Sequence, residues 1–237
     1  MEKVVLIDAD SLVYKNIEDL NEYKDRIDEI FSQIIQDTKA THYRIFLETP
    51  GNYTFRKALF SDYKANRANK ELPFNFREIK EYMIETYNPL LSIGVETDDT
   101  IISTNKFLKD NYPLTDVVIA ANDKDYQTYQ ITYYDLYYNR FGEIKNISKE
   151  EADFNFWLQM AMGDGSDNVK AIPNIGKVKA TKLLKDSKNL FMSVYRQYHL
   201  VYGRKSREYF IKAYTLLKLR DNVKPCRNFD RALFSEE

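Results

Sequence analysis

Three short apolar runs in this chain each lead straight into carboxylates, and no other feature narrows the possible folds as much. Lys3–Ile7 (KVVLI) runs into Asp8, and Tyr43–Leu47 (YRIFL) into Glu48. Asp116–Ala121 (DVVIAA) reaches Asp123 and Asp125 after Asn122. Continuous β-branched runs of this length mark strands buried on both faces, as in parallel sheets covered by helices. After the first run, Glu18–Lys39 carries Leu20, Tyr23, Ile27, Ile30, Phe31, Ile34 and Ile35 at helical spacing. Strands alternating with helices predict an α/β fold with a doubly wound, mostly parallel sheet. Ligands of such sheets bind outside the carboxyl ends of the strands, so the three runs are expected to bring their acids to one edge.

Further along, the stretch from Phe60 to Tyr87 is charged and helix-compatible, with Pro73 interrupting it. Tyr129–Tyr138 and Phe141–Ile147 predict a hairpin turning at Asn139-Arg140-Phe141-Gly142. From Lys149 the pattern becomes helical, which divides the chain into an α/β part over 1–150 and a helical part over 151–237, joined without a flexible linker. Neither repeats nor low-complexity segments are present.

Composition removes several function classes. The 237 residues, 43% of them hydrophobic, suffice for a large core. Cys226 is the only cysteine, so no intramolecular disulfide forms, and a reducing cytoplasm is the expected compartment. Met1-Glu2-Lys3 leads into no signal peptide, and no run has the length of a transmembrane helix, so no membrane partner is expected. The two histidines, His42 and His199, are far apart and lack neighbouring cysteines, which argues against zinc or histidine catalysis. The net charge of −1 first counts against nucleic acid. Distribution matters more than the sum, however. A carboxylate cluster holding cations would hide a basic remainder, and the segment from Lys170 to Arg231 is rich in Lys and Arg.

Other acids join the strand-end set. Glu96, Asp98 and Asp99 open a helix expected over Asp98–Lys109, and Asp164 and Asp167 lie in Met162-Gly163-Asp164-Gly165-Ser166-Asp167-Asn168. Singly, each has an ordinary reading, since Asp caps helices and complements their dipoles. Crowded together without evident Lys partners, they repel one another and call for cations. Oxygen ligands without His or Cys point to Mg²⁺ or Mn²⁺, and two such ions are a usual device for phosphodiester hydrolysis. Asp8-Ala9-Asp10-Ser11 also resembles the nucleophile motif of haloacid-dehalogenase-type phosphatases, a reading that leaves Glu96, Asp98, Asp164 and Asp167 without a role.

The stretch Ala171–Leu184 is the most specific. A Pro173-Asn174-Ile175-Gly176 turn opens a helix whose expected apolar face is Val178, Ala180, Leu183 and Leu184. Gly176 allows close backbone approach, the free N–H groups at the helix start suit a phosphate, and Lys177, Lys179 and Lys182 add charge. Such a hairpin grips a DNA strand by its backbone and positions without reading sequence. The plain alternative is a packing corner with a solvated lysine face.

Together these stretches resemble the structure-specific 5′ nucleases, a family that includes 5′–3′ exonucleases, the 5′-nuclease domain of bacterial DNA polymerase I, and flap endonucleases. The resemblance rests on Leu6–Tyr14 (LIDADSLVY), Phe55–Arg67 (FRKALFSDYKANR), Gly94–Ile101 (GVETDDTI), Val118–Tyr126 (VIAANDKDY) and Gly163–Leu184 (GDGSDNVKAIPNIGKVKATKLL), in the family's order. It implies a PIN-like, resolvase-like nuclease core with a helical arch at about 62–88 and a C-terminal helix-hairpin-helix (H3TH) region at about 163–184. It also implies that Asp8, Glu96, Asp98 and Asp123 form an inner metal cluster, and that Asp125, Asp164 and Asp167 form its partner, with Asp99 adjacent. Glu48 stands where the family usually has Asp, and Asp10 matches no consistent ligand position. Lys64 and Arg67, at the start of the arch, would stabilise charge on the scissile phosphate. The charged stretch Asn66–Glu85 would be the mobile arch, with Phe74 and Phe76 stacking on bases or packing in the core. Ile175, Gly176, Lys177, Lys179, Thr181 and Lys182 would hold the DNA, and the hairpin would take a K⁺ ion.

The expectation is thus a monomeric Mg²⁺- or Mn²⁺-dependent 5′ nuclease of the cytoplasm of a bacterium or phage-infected host. Its substrate would be DNA with a 5′ flap or single-stranded 5′ end, with RNA primers as a further one. A catalytically impaired DNA-structure-binding member of the family is the alternative from another class, and Glu48 is its hint.

Overall fold

The computed structural model describes residues 2–67, 70–137 and 140–223. In chain order the elements are β1 (Lys3–Asp8), α1 (Leu20–Thr38), β2 (His42–Glu48), α2 (Phe55–Leu59), α3 (Phe76–Tyr87), β3 (Leu90–Ser92), α4 (Thr97–Asn111) and β4 (Asp116–Ala121). They continue with β5 (Thr132–Asp135), β6 (Ile144–Asn146), α5 (Lys149–Met162), β7 (Gly163–Asp164), β8 (Val169–Lys170), α6 (Lys177–Lys185), α7 (Leu190–Tyr202) and α8 (Ser206–Leu217).

The sheet order is β3-β2-β1-β4-β5-β6, with β1 to β5 parallel and β6 antiparallel at the edge. Strand side chains alternate between faces, and here both faces are dry. Val5 and Ile7 of β1 pack under α1 and α3 with Tyr23, Ile27, Ile34, Ile79 and Met83, whereas Val4 and Leu6 face α4 with Ile101, Ile102 and Leu108. Two-sided burial is what makes KVVLI continuous rather than alternating. Because β2 and β4 flank β1, the chain reverses its direction of winding between β1 and β4, where open α/β sheets bind their ligands.

The helix ends follow local chemistry. The α1 helix starts at Leu20 because the Asp19 carboxylate accepts the Glu22 N–H, and it stops at Lys39, which takes the left-handed conformation with φ 54°. The Ser148 hydroxyl caps α5 in the same way. Strand β3 was not anticipated; its three residues carry too little pattern. The predicted hairpin is present but shorter, and its Tyr138 and Asn139 lie outside the described residues.

The charged stretch read as an arch contains a packed helix. In α3 Ile79 and Met83 are fully buried, and Phe76 packs against the same cluster, so core packing is the role found for that ring, while Phe74 is exposed. Ala68 and Asn69 of that stretch lie outside the described residues. A third cluster joins α5 to α8 through Phe156, Met160, Leu184, Val194, Tyr198, Phe210 and Leu217, and Tyr63 enters it from the N-terminal part. Gly163 starts the β7–β8 ribbon with φ 78°, and a Cβ there would sit 2.3 Å from the Val169 carbonyl oxygen. No other residue fits that turn. Among the described residues no helix is long and apolar enough to cross a membrane.

Candidate metal centre and nucleic-acid interface

At the carboxyl edge of the sheet a cavity of about 730 Å³ is lined by Asp8, Asp10, Glu48, Glu96, Asp98 and Asp123, with Lys64 and Arg67 on its wall. The edge delivers these side chains in the predicted way. Asp8 ends β1, Glu48 ends β2, Asp123 follows β4, and Glu96 caps α4 through a reciprocal bond with Asp99. Asp125, Asp164 and Asp167 form the adjoining group. The Gln159 side-chain amide donates to Asp125 at 2.7 Å, and Lys124 pairs with Asp164 at 2.7 Å. The Tyr63 hydroxyl bridges the two groups, its one proton shared between a Glu96 oxygen at 2.8 Å and an Asp167 oxygen at 3.0 Å.

The protein's own cations balance much of this charge. Lys64 pairs with Glu96 and lies 3.7 Å from Asp167, while Arg67 pairs with Asp167. Lys64 holds its place with φ 55°, a region uncommon for a residue with a side chain, and its N–H donates to the Asp167 carbonyl at 2.9 Å. Backbone held this way at a polar site is a form of preorganisation.

Among the described residues Asp8, Glu48, Asp98 and Asp125 form no direct ion pair. Burial, then repulsion from Asp10, pushes the Asp8 carboxyl up to about 7 against the hydrogen bond from Tyr126. Burial and the charges of Asp123 and Asp164 push Asp125 to about 8. Burial, then Asp99 and Glu96, holds Asp98 well above the carboxylate range, and Glu48 is raised by burial, Asp10 and Glu96. Asp164 goes the other way: burial opposes ionisation, but Lys124 and Ser166 outweigh it and bring the group to about 2. Crowded oxygen donors that resist ionisation are chemically suited to hard divalent cations. Among the described residues, no three acids already converge as one coordination shell. Several instead point at Lys64, Arg67, Lys124 and Tyr126.

Asp99 and Asp10 have structural partners. Asp99 is fully buried against Arg56, whose guanidinium meets both its oxygens and also donates to Glu96 at 3.0 Å. Asp99 further accepts the Arg220 N–H at 2.7 Å. Asp10 accepts the Glu48 N–H at 2.8 Å and the Thr97 hydroxyl, which ties β2 and α4 to the end of β1. The Asn52 amide donates to Glu48 at 3.2 Å. Arg56, Tyr63, Tyr126, Gln159 and Asn52 were not singled out as site residues in the sequence. Arg56 and Tyr63 lie inside the quoted stretch FRKALFSDYKANR, and Gln159 stands as a polar residue on the buried stripe Ala152, Phe156, Met160 of α5.

The candidate DNA grip is a turn of Pro173–Gly176 leading into α6, with Asn174 at φ 61° and nothing within 4 Å of where a Gly176 Cβ would stand. Lys177, Lys179 and Lys182 are exposed, although the Lys179 ammonium donates to the Asn174 carbonyl at 3.1 Å. Ile175 and Thr181 are half-buried. Val178 is 84% exposed instead of belonging to the apolar face, which Ala180 and Leu184 supply. Its place in the first turn, beside Lys177, turns it away from the third core cluster.

A mostly parallel sheet flanked by helices, with an acid-lined edge at its topological switch, defines an α/β protein of the resolvase-like nuclease type. The sequence model described as "5′-3′ exonuclease, N-terminal resolvase-like domain" matches residues 3–153, and the chain belongs to this 5′–3′ exonuclease family. It is 32% identical to the 5′-3′ exonuclease of Mycoplasmopsis pulmonis, over 80% of this chain and 68% of that protein. It is 29% identical to DNA polymerase I of Borreliella burgdorferi across 100% of this chain, which spans only 29% of that polymerase. In fold it is similar to bacteriophage T5 flap endonuclease, solved with DNA and metal ions, at TM-score 0.64 and 16% identity, covering 93% of this chain and 89% of that one.

Proposed function

We propose that this chain is a divalent-metal-dependent 5′ nuclease that hydrolyses phosphodiester bonds near the 5′ end of flapped or single-stranded-ended DNA. The observation that carries the reading is the acid-lined cavity at the sheet edge with Lys64 and Arg67 on its wall. Asp8, Glu96, Asp98 and Asp123 would hold one Mg²⁺ or Mn²⁺ ion, with Glu48 beside them, and Asp125, Asp164 and Asp167 a second. When bound, such ions supply Lewis acidity, easing deprotonation of the attacking water and stabilising the departing oxygen. Asp99 acts from behind, holding Arg56 against Glu96.

Lys64 and Arg67 exchange their carboxylate partners for the phosphate and stabilise its charge in the transition state. Tyr63 keeps Glu96 and Asp167 aligned while that exchange occurs. Ile175, Gly176, Lys177, Lys179, Thr181 and Lys182 hold the duplex by its backbone, with K⁺ as a bridging ion. The α/β part over 1–150 carries most of the chemistry, with Asp164 and Asp167 entering from the helical part over 151–237, which also holds the duplex. A cytoplasmic monomer, acting on RNA primers as well as DNA, completes the reading.

The test is cleavage of a labelled 5′-flap duplex in Mg²⁺ or Mn²⁺, with chelator and Asp8→Asn as controls. Metal-dependent release of the 5′ strand, lost in Asp8→Asn, is the expected result. Binding without cleavage in either metal would instead identify a DNA-structure-binding member that has lost catalysis. The phosphatase reading is disfavoured because Asp10 is occupied by Glu48 and Thr97.

A further inference from the structure

Gln159 lies on α5, which packs on the segment carrying Asp125 and leads into the ribbon carrying Asp164. It is nine-tenths buried. Its side-chain nitrogen donates to Asp125 Oδ1 at 2.7 Å and reaches Asp164 Oδ2 at 3.5 Å. Its Oε1 is buried and accepts nothing from the described residues. A buried acceptor without a partner is destabilising, so the position calls for an explanation. With both carboxylates ionised, as a shared cation requires, turning the amide over would aim Oε1 at two carboxylates and bring three acceptors together, which is worse. The carboxylates therefore fix the amide orientation, and the amide in turn holds them side by side.

The remaining contacts separate the two acids. Asp164 Oδ1 accepts the Ser166 N–H at 2.8 Å and the Ser166 hydroxyl at 2.5 Å, while Lys124 reaches Oδ2. Among the described residues Gln159 is the side chain that hydrogen-bonds Asp125, where Asp123 and Asp164 repel it and the charge of Lys124 partly offsets them. Lys124 screens their repulsion but pairs only with Asp164, whereas among the described residues the Gln159 amide is the side chain that reaches both carboxylates.

From this geometry we infer that Gln159 is a positioning residue, whose amide sets the spacing of Asp125 and Asp164 for a shared divalent cation. The inference rests on the nuclease reading and adds to it a residue that acts through Asp125 and Asp164. Groups that orient metal ligands are typically worth about 10- to 100-fold in metal affinity or rate.

The experiment compares the wild type with Gln159→Leu and Gln159→Met. Manganese binding is counted by electron paramagnetic resonance on the DNA-free protein, alongside kcat and KM on a 5′-flap duplex. The expected result is about 10-fold or greater weakening of one Mn²⁺ site and a fall in kcat, with KM nearly unchanged and the second site intact. Both variants remove the amide while Met keeps the side-chain length, so a folding defect confined to Leu leaves the Met measurement decisive. If the wild type binds Mn²⁺ and cuts while Gln159→Met matches it within twofold in both readouts, the inference is wrong. If the wild type itself neither binds nor cuts, the nuclease reading fails instead.

Discussion

Lys64 and Glu96, 32 residues apart in sequence, form an ion pair on the wall of the acidic cavity. Lys64 also lies 3.7 Å from Asp167, so one ammonium serves carboxylates from both groups of acids. Removing it with Lys64→Ala is expected to lower the single-turnover cleavage rate by about 100-fold or more, as for other preorganised donors to developing charge. Quenched-flow cleavage of a 5′-flap duplex, with binding followed by fluorescence anisotropy, separates the rate from affinity. A rate within a few-fold of the wild type would remove Lys64 from the chemistry.

Arg56 is fully buried and binds Asp99 with two nitrogens, Glu96 with one, and the carbonyls of Leu216 and Lys218. Replacing it by Met leaves Asp99 a buried charge without its counter-ion. The expected loss of stability is about 3–5 kcal/mol, read from urea denaturation. Arg56→Lys is expected to recover little, because an ammonium cannot span both Asp99 oxygens.

The pH dependence of the metal-free protein follows from Asp8 and Asp125, whose carboxyls are pushed from the ordinary 3.8 to about 7 and about 8. Groups raised in this way favour the folded state below the unfolded value, and that contribution is lost as pH rises through the folded values. In chelator, their part in stability should therefore fall between about pH 4 and pH 8. Adding Mn²⁺ should raise Tm more at pH 8 than at pH 5.5, since the cation supplies the missing counter-charge. Differential scanning calorimetry at the two pH values reads this; equal metal shifts would contradict it.

Gly163→Ala places a methyl group 2.3 Å from the Val169 carbonyl oxygen at a φ of 78°. A loss of about 2 kcal/mol or more is expected. Because Asp164 follows directly, metal binding by that group of acids should weaken as well. Chemical denaturation and Mn²⁺ titration check both.

Lys177 and Lys182 are exposed on α6 at the candidate DNA grip. Substituting both with Ala should weaken duplex binding for every sequence tested and lower the slope of log affinity against log salt by about 2. Anisotropy titrations across a range of KCl concentrations measure this, and an unchanged slope would place the duplex elsewhere.

Strand ends were the most legible part of the chain. Lys3–Ile7 and Asp116–Ala121 are apolar because both sides of the sheet are covered, and their acids come together because parallel strands end on one edge. The partners of those acids were less legible. Arg56 reads in sequence as one more basic residue beside Lys57, and only tertiary contacts with Asp99 and the Leu216 carbonyl bury it. Val178 fits an apolar stripe by spacing, yet the first turn of α6 extends beyond the core that Ala180 and Leu184 enter. Three-residue β3 is held by its pairing with β2 rather than by its own composition.

The cage around Arg56 has a consequence for biosynthesis. Its side chain closes with carbonyls 160 and 162 residues downstream. A chain leaving the ribosome from its N-terminus therefore exposes Asp8 through Asp167 before Leu216 and Lys218 can arrive to seal the arginine that steadies Glu96. Contacts of such long separation form late, since loop closure must precede them. The acids of the edge are synthesised before the residues that lock it, so a nascent chain carries the charges of the site before it carries its order.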